Sequence, residues 1–143
     1  MILSDVDIER RLNDRTLVLD PFEPKSLKGA GYDLRIGMDA KVEAGKSKLV
    51  ATLERVELGL DLVGVLHLRS SLARSGILAS LALVDPGYRG QLTVLLNNVS
   101  TKDVEISHGE GIIQLTIQLL STKTRLPYRG RYQDSQGIVE RRP

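Results

Sequence analysis

The sequence contains no cysteine, no tryptophan and a single phenylalanine among its 143 residues. Without cysteine the chain can form neither disulfides nor thiolate metal sites, and its two histidines, His67 and His108, are too few for a histidine-based zinc site. Aromatic residues make up only 3% of the chain, which argues against a protein that stacks aromatic side chains on single-stranded bases. The hydrophobic core must therefore be aliphatic.

Long apolar runs and a strong charge imbalance are also missing. No run reaches the roughly 18 apolar residues of a membrane span, and no signal peptide is visible. Twenty basic residues less 18 acidic ones leave a net charge of +2, which argues against DNA binding even though the last part of the chain is basic. We expect a single soluble, cytoplasmic domain comprising residues 1–143.

Turn-forming residues recur about every ten positions, and short β-rich runs lie between them, for example at residues 48–56, 62–68 and 111–120. This spacing predicts an all-β sandwich or jelly roll. Ser4, followed by two aspartates, predicts a short N-terminal helix that ends near Asn13 or Asp14. Residues 72–83 fit either a helical turn or a strand.

Asp85-Pro-Gly-Tyr88 predicts a tight turn, because proline presets its own φ and glycine accepts a positive φ. In the strand that follows, residues 92, 94 and 96 are apolar and face one side, while residues 91, 93, 95 and 97 face the other. A carboxylate held at a rigid turn suits a small-molecule site. The alternative interpretation is an ordinary hairpin turn.

Two further segments carry polar groups on otherwise apolar strands. Asp33 and Gln114 each lie opposite the apolar face of their strand. The run 69–74, Arg-Ser-Ser-Leu-Ala-Arg, offers forked cationic donors and hydroxyls, which is chemistry suited to phosphate. A surface salt bridge for Asp33 and a solvated capping segment for 69–74 are the alternatives.

These segments, in this order, resemble the motifs of the trimeric dUTPase and dCTP deaminase superfamily. The matching stretches are residues 30–34 (Ala-Gly-Tyr-Asp-Leu), 69–73 (Arg-Ser-Ser-Leu-Ala), 84–90 (Val-Asp-Pro-Gly-Tyr-Arg-Gly) and 109–114 (Gly-Glu-Gly-Ile-Ile-Gln). The opening residues 3–8 and the late residues 131–137 are similar to the deaminase branch. The resemblance implies a distorted dUTPase-like jelly roll, a homotrimer with sites between subunits, a deoxynucleoside triphosphate substrate and Mg2+.

The resemblance also assigns roles to individual residues. Asp85 is the implied catalytic residue and orients the attacking water, Tyr88 stacks under the sugar, and Asp33 helps to hold the metal ion through water. Residues 128–143 are expected to close over the site, and residues 76–83 to read the pyrimidine edge. The implied substrate contacts are Arg69, Ser70, Ser71, Arg74, Val84, Asp85, Tyr88, Gln114, Arg131, Tyr132 and Gln136.

One residue of the sequence distinguishes the dUTPase branch from the dCTP deaminase branch. Deamination without zinc needs a general acid and base, and the deaminase branch places a glutamate ten positions after the motif aspartate. Here that position is Leu95, which carries no proton. The sequence therefore predicts a dUTP diphosphatase that forms dUMP and diphosphate by water attack at the α-phosphorus. The alternatives are a dCTP deaminase, with or without a second activity, and a non-catalytic nucleotide-binding trimer.

The tail departs from the dUTPase pattern, since it is short and lacks the phenylalanine that stacks on uracil.

Overall fold

The computed structural model describes residues 1–143 and contains ten strands, two α-helices and one 3-10 turn. In chain order they are α1 (Asp5–Asn13), β1 (Leu17–Asp20), the 3-10 turn (Pro24–Ser26), β2 (Leu27–Lys28), β3 (Gly31–Arg35), β4 (Ala40–Val42), β5 (Ser47–Leu58), β6 (Leu62–Leu68), α2 (Ser70–Arg74), β7 (Ile77–Ser80), β8 (Arg89–Asn98), β9 (Val104–Ile106) and β10 (Gly111–Leu119). The predicted all-β class with a short N-terminal helix is confirmed. No helix has both the length and the apolar character needed to cross a membrane.

The N-terminal helix α1 begins as the sequence predicts. The Ser4 side chain accepts a hydrogen bond from the Asp7 backbone N–H at 3.3 Å, and the Asp7 carboxylate accepts one from the Ser4 N–H at 3.4 Å. This reciprocal capping box satisfies amides that the first turn would leave without partners. The helix buries Ile8 completely and ends at Asn13, with Asp14 as its C-cap.

The strands form two four-stranded antiparallel sheets and one separate pair. The first sheet has the order β1-β5-β8-β7, and the second has the order β2-β3-β10-β6. Strands β4 and β9 pair with each other. Both large sheets contribute to a single cluster of 26 buried hydrophobic residues, so the protein has one core.

Strand β8 shows the predicted alternation. Leu92, Val94 and Leu96 are buried, while Thr93 and Leu95 remain partly exposed. Because successive side chains of a strand point to opposite faces, β8 seals the core with one face and leaves Thr93 and Leu95 outside it on the other.

A buried ion pair joins the two large sheets. Glu54 of β5 is fully buried, and its carboxylate accepts hydrogen bonds from Arg35 of β3, at 2.7 Å from Nε and 2.9 Å from the backbone N–H. The Tyr32 hydroxyl donates a further bond at 3.3 Å. Removing one partner of such a pair costs about 3–5 kcal/mol because the other charge stays buried. This network fixes the orientation of Arg35.

The segment 72–83, which fitted either a helical turn or a strand, contains part of a helix and a whole strand. Helix α2 spans five residues, and strand β7 follows and pairs with β8. Gly76 separates them with φ +86°, and a Cβ atom there would lie 2.6 Å from the Ser100 Cβ. The reversal therefore requires glycine at this position.

Candidate active site

The turn that precedes β8 has the predicted geometry. The Tyr88 N–H donates to the Asp85 carbonyl oxygen at 3.1 Å, and Gly87, at the third position of the turn, has φ +79°. A proline followed by a left-handed glycine is typical of a type II turn. Asp85 is thereby held directly before the strand whose alternate residues face outward.

A cavity of about 590 Å3 lies beside this turn, and we call it the Asp85 cavity. Asp85 is its only carboxylate. Ten of its 15 lining residues are hydrophobic, so it suits an uncharged group with a flat ring face, such as a pyrimidine base. The lining residues are Leu49, Ser80, Ala82, Leu83, Val84, Asp85, Tyr88, Leu92, Thr93, Leu95, Tyr128, Tyr132, Ser135, Val139 and Arg141.

Tyr88 forms one wall of the Asp85 cavity and is 6% exposed. Its hydroxyl donates to the Gln91 carbonyl oxygen at 2.7 Å, and its ring packs edge-on against Tyr128 with centroids 5.4 Å apart. Burial raises the pKa of Tyr88 to about 12. The phenol is therefore neutral near pH 7 and already committed as a hydrogen-bond donor, which suits a packing role better than proton transfer.

Leu95 lines the same cavity, as the alternation of β8 predicts. Its cross-strand neighbours are Leu49 on β5 and Ser80 on β7. None of the three carries an acid or base. The structure thus places the leucine in the wall of the Asp85 cavity, and it brings no carboxylate to that position from an adjacent strand.

A second cavity, of about 310 Å3, has no hydrophobic lining residue, and we call it the polar cavity. Asp33 lies in it between two cations, 3.3 Å from Arg69 Nε and 3.9 Å from Lys28 Nζ. Gln114 lies directly opposite Asp33 in the β3–β10 ladder. The polar cavity is lined by Glu23, Lys25, Ser26, Lys28, Asp33, Arg35, Arg69, Gly109 and Gly111. The lining carries four cationic side chains and two carboxylates, and the buried Glu54 balances Arg35 from behind, which leaves a small positive excess for an anionic ligand.

The residues of the chain do not form a magnesium site by themselves. No group of three or more His, Cys, Asp or Glu side chains is placed to hold a metal ion. Asp33, the predicted indirect ligand, is nearly buried and paired with Arg69 and Lys28 instead. Its carboxylate therefore pairs with cationic groups, as in the salt-bridge alternative, but Asp33 is 7% exposed and does not lie at the surface as that alternative expected.

The other predicted contacts lie apart from the Asp85 cavity. Ser70 and Ser71 begin helix α2, and Arg74 at its end lines a separate depression beside residues 100–104. Gln136 borders another depression near Arg55. Arg131 is exposed and donates to the Arg142 carbonyl oxygen at 3.0 Å. Of the predicted residues, only Val84, Asp85, Tyr88 and Tyr132 share the cavity.

The C-terminal segment, residues 128–143, packs along β8. The Gln91 N–H donates to the Ser135 carbonyl oxygen at 2.9 Å, and the Val139 N–H donates to Thr93 Oγ1 at 3.0 Å. This course brings Tyr128, Val139 and Arg141 into the cavity wall, although sequence reasoning had not singled them out. The resemblance had predicted that residues 128–143 cover the site, but only the outward face of β8 indicated where the segment would lie, because a segment that covers the cavity must meet Thr93 and Leu95.

A family model described as dCTP deaminase-like matches residues 42–120. A dCTP deaminase of Thermococcus gammatolerans is 42% identical over 97% of this chain and 95% of its own length. Another, of Pyrococcus horikoshii, is 41% identical over 97% of this chain and 96% of its own length. A probable deoxyuridine 5'-triphosphate nucleotidohydrolase of Sulfolobus islandicus rod-shaped virus 1 is 32% identical over 97% of the chain.

Solved structures confirm the predicted jelly-roll fold. The 2'-deoxycytidine 5'-triphosphate deaminase of Agrobacterium tumefaciens superposes with a TM-score of 0.73 at 17% identity, over 82% of this chain and 48% of that one. The dUTPase of EIAV superposes with a TM-score of 0.63 at 22% identity, over 81% of this chain and 97% of that one. At these identities the agreement concerns the fold.

The prediction of a dUTP diphosphatase is wrong. It depended on the missing acid at Leu95, whereas five relatives that are 39–42% identical over 97% of the chain are all named dCTP deaminase. The absence of an acid at one position is weaker evidence than similarity spread over both sheets and the tail. The alternative that the sequence left open, a deaminase, agrees better with these relatives.

The predicted superfamily resemblance is confirmed, since its deaminase branch matches the full length of the chain and both branches share its fold. The relatives are enzymes of nucleotide metabolism. The chain belongs to the dCTP deaminase-like family of enzymes.

Proposed function

We propose that the protein deaminates dCTP to dUTP. The observation that carries the proposal is the similarity of 39–42% over 97% of the chain to relatives named dCTP deaminase. In the reaction, water adds to C4 of cytosine, a new C4–O bond forms and the C4–N bond breaks. One proton of the water leaves with the amine as ammonia and the other ends on N3 of the uracil ring, so neither an oxidant nor a second substrate is needed.

The Asp85 cavity supplies the features that this reaction needs near the base. Its volume and mostly apolar wall suit a pyrimidine, and Ser80 and Thr93 offer hydroxyls at the rim. Asp85 is the only carboxylate of the cavity, and Tyr88 is neutral near pH 7. We therefore assign proton transfer with the attacking water to Asp85.

The polar cavity is the proposed triphosphate subsite. Arg69 and Lys28 are half-exposed there, and Arg35 is oriented by its ion pair with Glu54. Charge-assisted donors of this kind bind phosphate oxygens strongly. Ser70, Ser71, Arg74 and Gln114 are proposed to extend the donor set.

The two cavities share no lining residue and belong to opposite sheets. An arrangement in which one copy of the chain brings its polar cavity to the Asp85 cavity of a second copy would let one nucleotide use both. This supports the proposal of a homotrimer with sites between subunits. Arg131, Tyr132 and Gln136 are then proposed to contact substrate from the C-terminal segment.

Mg2+ remains a prediction and enters, on this proposal, with the substrate. Magnesium ions usually keep several waters and bind through substrate phosphates with one or two carboxylates, so a protein cage is not required. The chain's own residues do not form such a cage.

A second candidate function is nucleotide binding without turnover. The observation that favours it is Leu95, because an aliphatic side chain lies where the cavity wall faces the ligand. On this reading the protein would bind dCTP in the same cavities but leave it intact.

The two functions are separated by incubating purified protein with dCTP and measuring both ammonia and the nucleotide product. Ammonia and dUTP in equal amounts are expected. Saturable dCTP binding without ammonia would support the second function, and diphosphate release in place of ammonia would contradict both.

A further inference from the structure

Asp134 lies outside both cavities but holds two arginines of the first sheet. Its carboxylate accepts a hydrogen bond from Arg55 Nη2 at 2.7 Å and another from Arg89 Nη2 at 3.1 Å. Its backbone N–H donates to the Arg89 carbonyl oxygen at 2.8 Å. The residue has φ +59°, a conformation that a non-glycine residue adopts at a cost and that aspartate tolerates better than most.

The residues beside Asp134 build the cavity wall. Tyr132 and Ser135, on either side of it, both line the Asp85 cavity. Gln133 fills the gap between them: its side chain accepts from the Arg89 N–H at 2.8 Å and donates to the Gly87 carbonyl oxygen at 2.9 Å. Asp134 is thus placed where the C-terminal segment first meets β8, next to the turn that carries Asp85.

Oppositely charged side chains face each other where the C-terminal segment meets β8. Arg55 also pairs with Glu57 at 2.7 Å, so two cations and two anions alternate across β5, β8 and the C-terminal segment. The Arg55 hydrogen bond and the nearby Arg89 charge lower the pKa of Asp134, which keeps its carboxylate ionised near pH 7. Exposed pairs of this kind are individually weak and are screened by salt. We therefore expect these ion pairs to affect the local opening of the C-terminal segment, and not the free energy of unfolding of the whole protein.

We propose that Asp134 is a positioning residue, an electrostatic latch that holds Tyr132 and Ser135 against the Asp85 cavity by pairing with Arg55 and Arg89. When the latch is closed, the cavity wall is complete before the nucleotide arrives. When it opens, dCTP must order the segment as it binds, and its affinity falls. The identity of the nucleotide rests on the proposed function, whereas the latch itself does not.

The latch is tested first without nucleotide, by hydrogen exchange of the backbone amides of residues 128–143 in the wild type and in Asp134→Asn. Loss of the two ion pairs is expected to speed exchange in this segment about two- to fivefold. Exchange in β5 and β10 should stay unchanged. Asp103→Asn is the matched control, because Asp103 is also an exposed aspartate with a lysine partner and a lowered pKa.

The nucleotide arm measures dCTP binding and turnover in the same variants at low and high salt. Asp134→Asn is expected to raise KM or Kd about two- to fivefold with kcat unchanged, and to lose part of the salt dependence seen in the wild type. Asp134→Glu, which keeps the charge, should restore most of the affinity. Unchanged exchange in residues 128–143, or an equal change in Asp103→Asn, would overturn the proposal. Failure of the wild type to release ammonia would affect the proposed function alone, since the exchange arm needs no nucleotide.

Discussion

The Asp85 cavity and the polar cavity differ in almost every physical respect. The first has a mostly apolar wall with one carboxylate, and the second has no apolar lining and four cationic groups. The first belongs to the β1-β5-β8-β7 sheet, and the second to the edge of the other sheet. A nucleoside triphosphate has a similar division, with an uncharged base and sugar at one end and a polyanion at the other. The proposed function assigns the base and sugar to the first cavity and the phosphates to the second, and four substitutions follow from that comparison.

Asp85→Asn is expected to have the largest effect. Removing the only carboxylate of the Asp85 cavity should lower kcat for ammonia release by about 100- to 10,000-fold, the usual contribution of a general acid or base. The measurement is steady-state ammonia release from dCTP, with Asp103→Asn as the control. Full activity in Asp85→Asn would remove this residue from the chemistry.

Arg69→Ala tests the polar cavity. The loss of one charge-assisted donor should weaken the binding of dCTP, and of inorganic triphosphate used as a base-free probe, by about 10- to 100-fold. Binding of deoxycytidine, which lacks the phosphates, should not change. Arg10→Ala is the control, because Arg10 is an exposed helix residue that pairs with Asp7. If deoxycytidine binding fell as much as triphosphate binding, the two cavities would not be separate in function.

Leu95→Glu adds an acid to the apolar wall of the Asp85 cavity and tests whether this wall can take part in the chemistry. A carboxylate on the ligand-facing side of β8 should raise the rate of dCTP deamination by about tenfold, because it offers a second group for proton transfer. Leu95→Gln is the matched control, since it adds a polar group of the same size without an ionisable proton. Equal rates in the two variants would mean that this wall takes no part in proton transfer.

Tyr88→Phe should have the smallest effect. The variant loses the hydrogen bond to the Gln91 carbonyl oxygen, which is worth about 1 kcal/mol of unfolding free energy. In the wild type the pKa of Tyr88 is raised above the value of 10.0 expected in the unfolded chain, to about 12. The neutral phenol is therefore favoured by folding, and its contribution is intact below about pH 10 and is lost as the pH rises toward 12. The free energy of unfolding, measured with urea at pH 8 and pH 11, should fall less between these two pH values in Tyr88→Phe than in the wild type.

Local patterns predicted the parts of the molecule that depend on neighbours in sequence. Ser4 and Asp7 are three residues apart and define the start of α1, and Pro86 and Gly87 define the turn after Asp85. The alternation around Leu95 correctly predicted which side chains of β8 are buried in the core and which remain partly exposed. The class of reaction was wrong because it was inferred from one missing acid in a chain whose full length resembles deaminases.

By itself, the sequence determined an aliphatic all-β domain, a capped N-terminal helix and an aspartate held at a rigid turn. Only the tertiary structure decided that Asp33 pairs with Arg69, that Glu54 is buried against Arg35, and that Asp134 holds Arg55 from 79 residues away. The physical reason is the range of the interactions. Caps, turns and strand alternation follow from steric and hydrogen-bonding preferences over a few residues, whereas ion pairs and cavities depend on where two sheets and a tail meet.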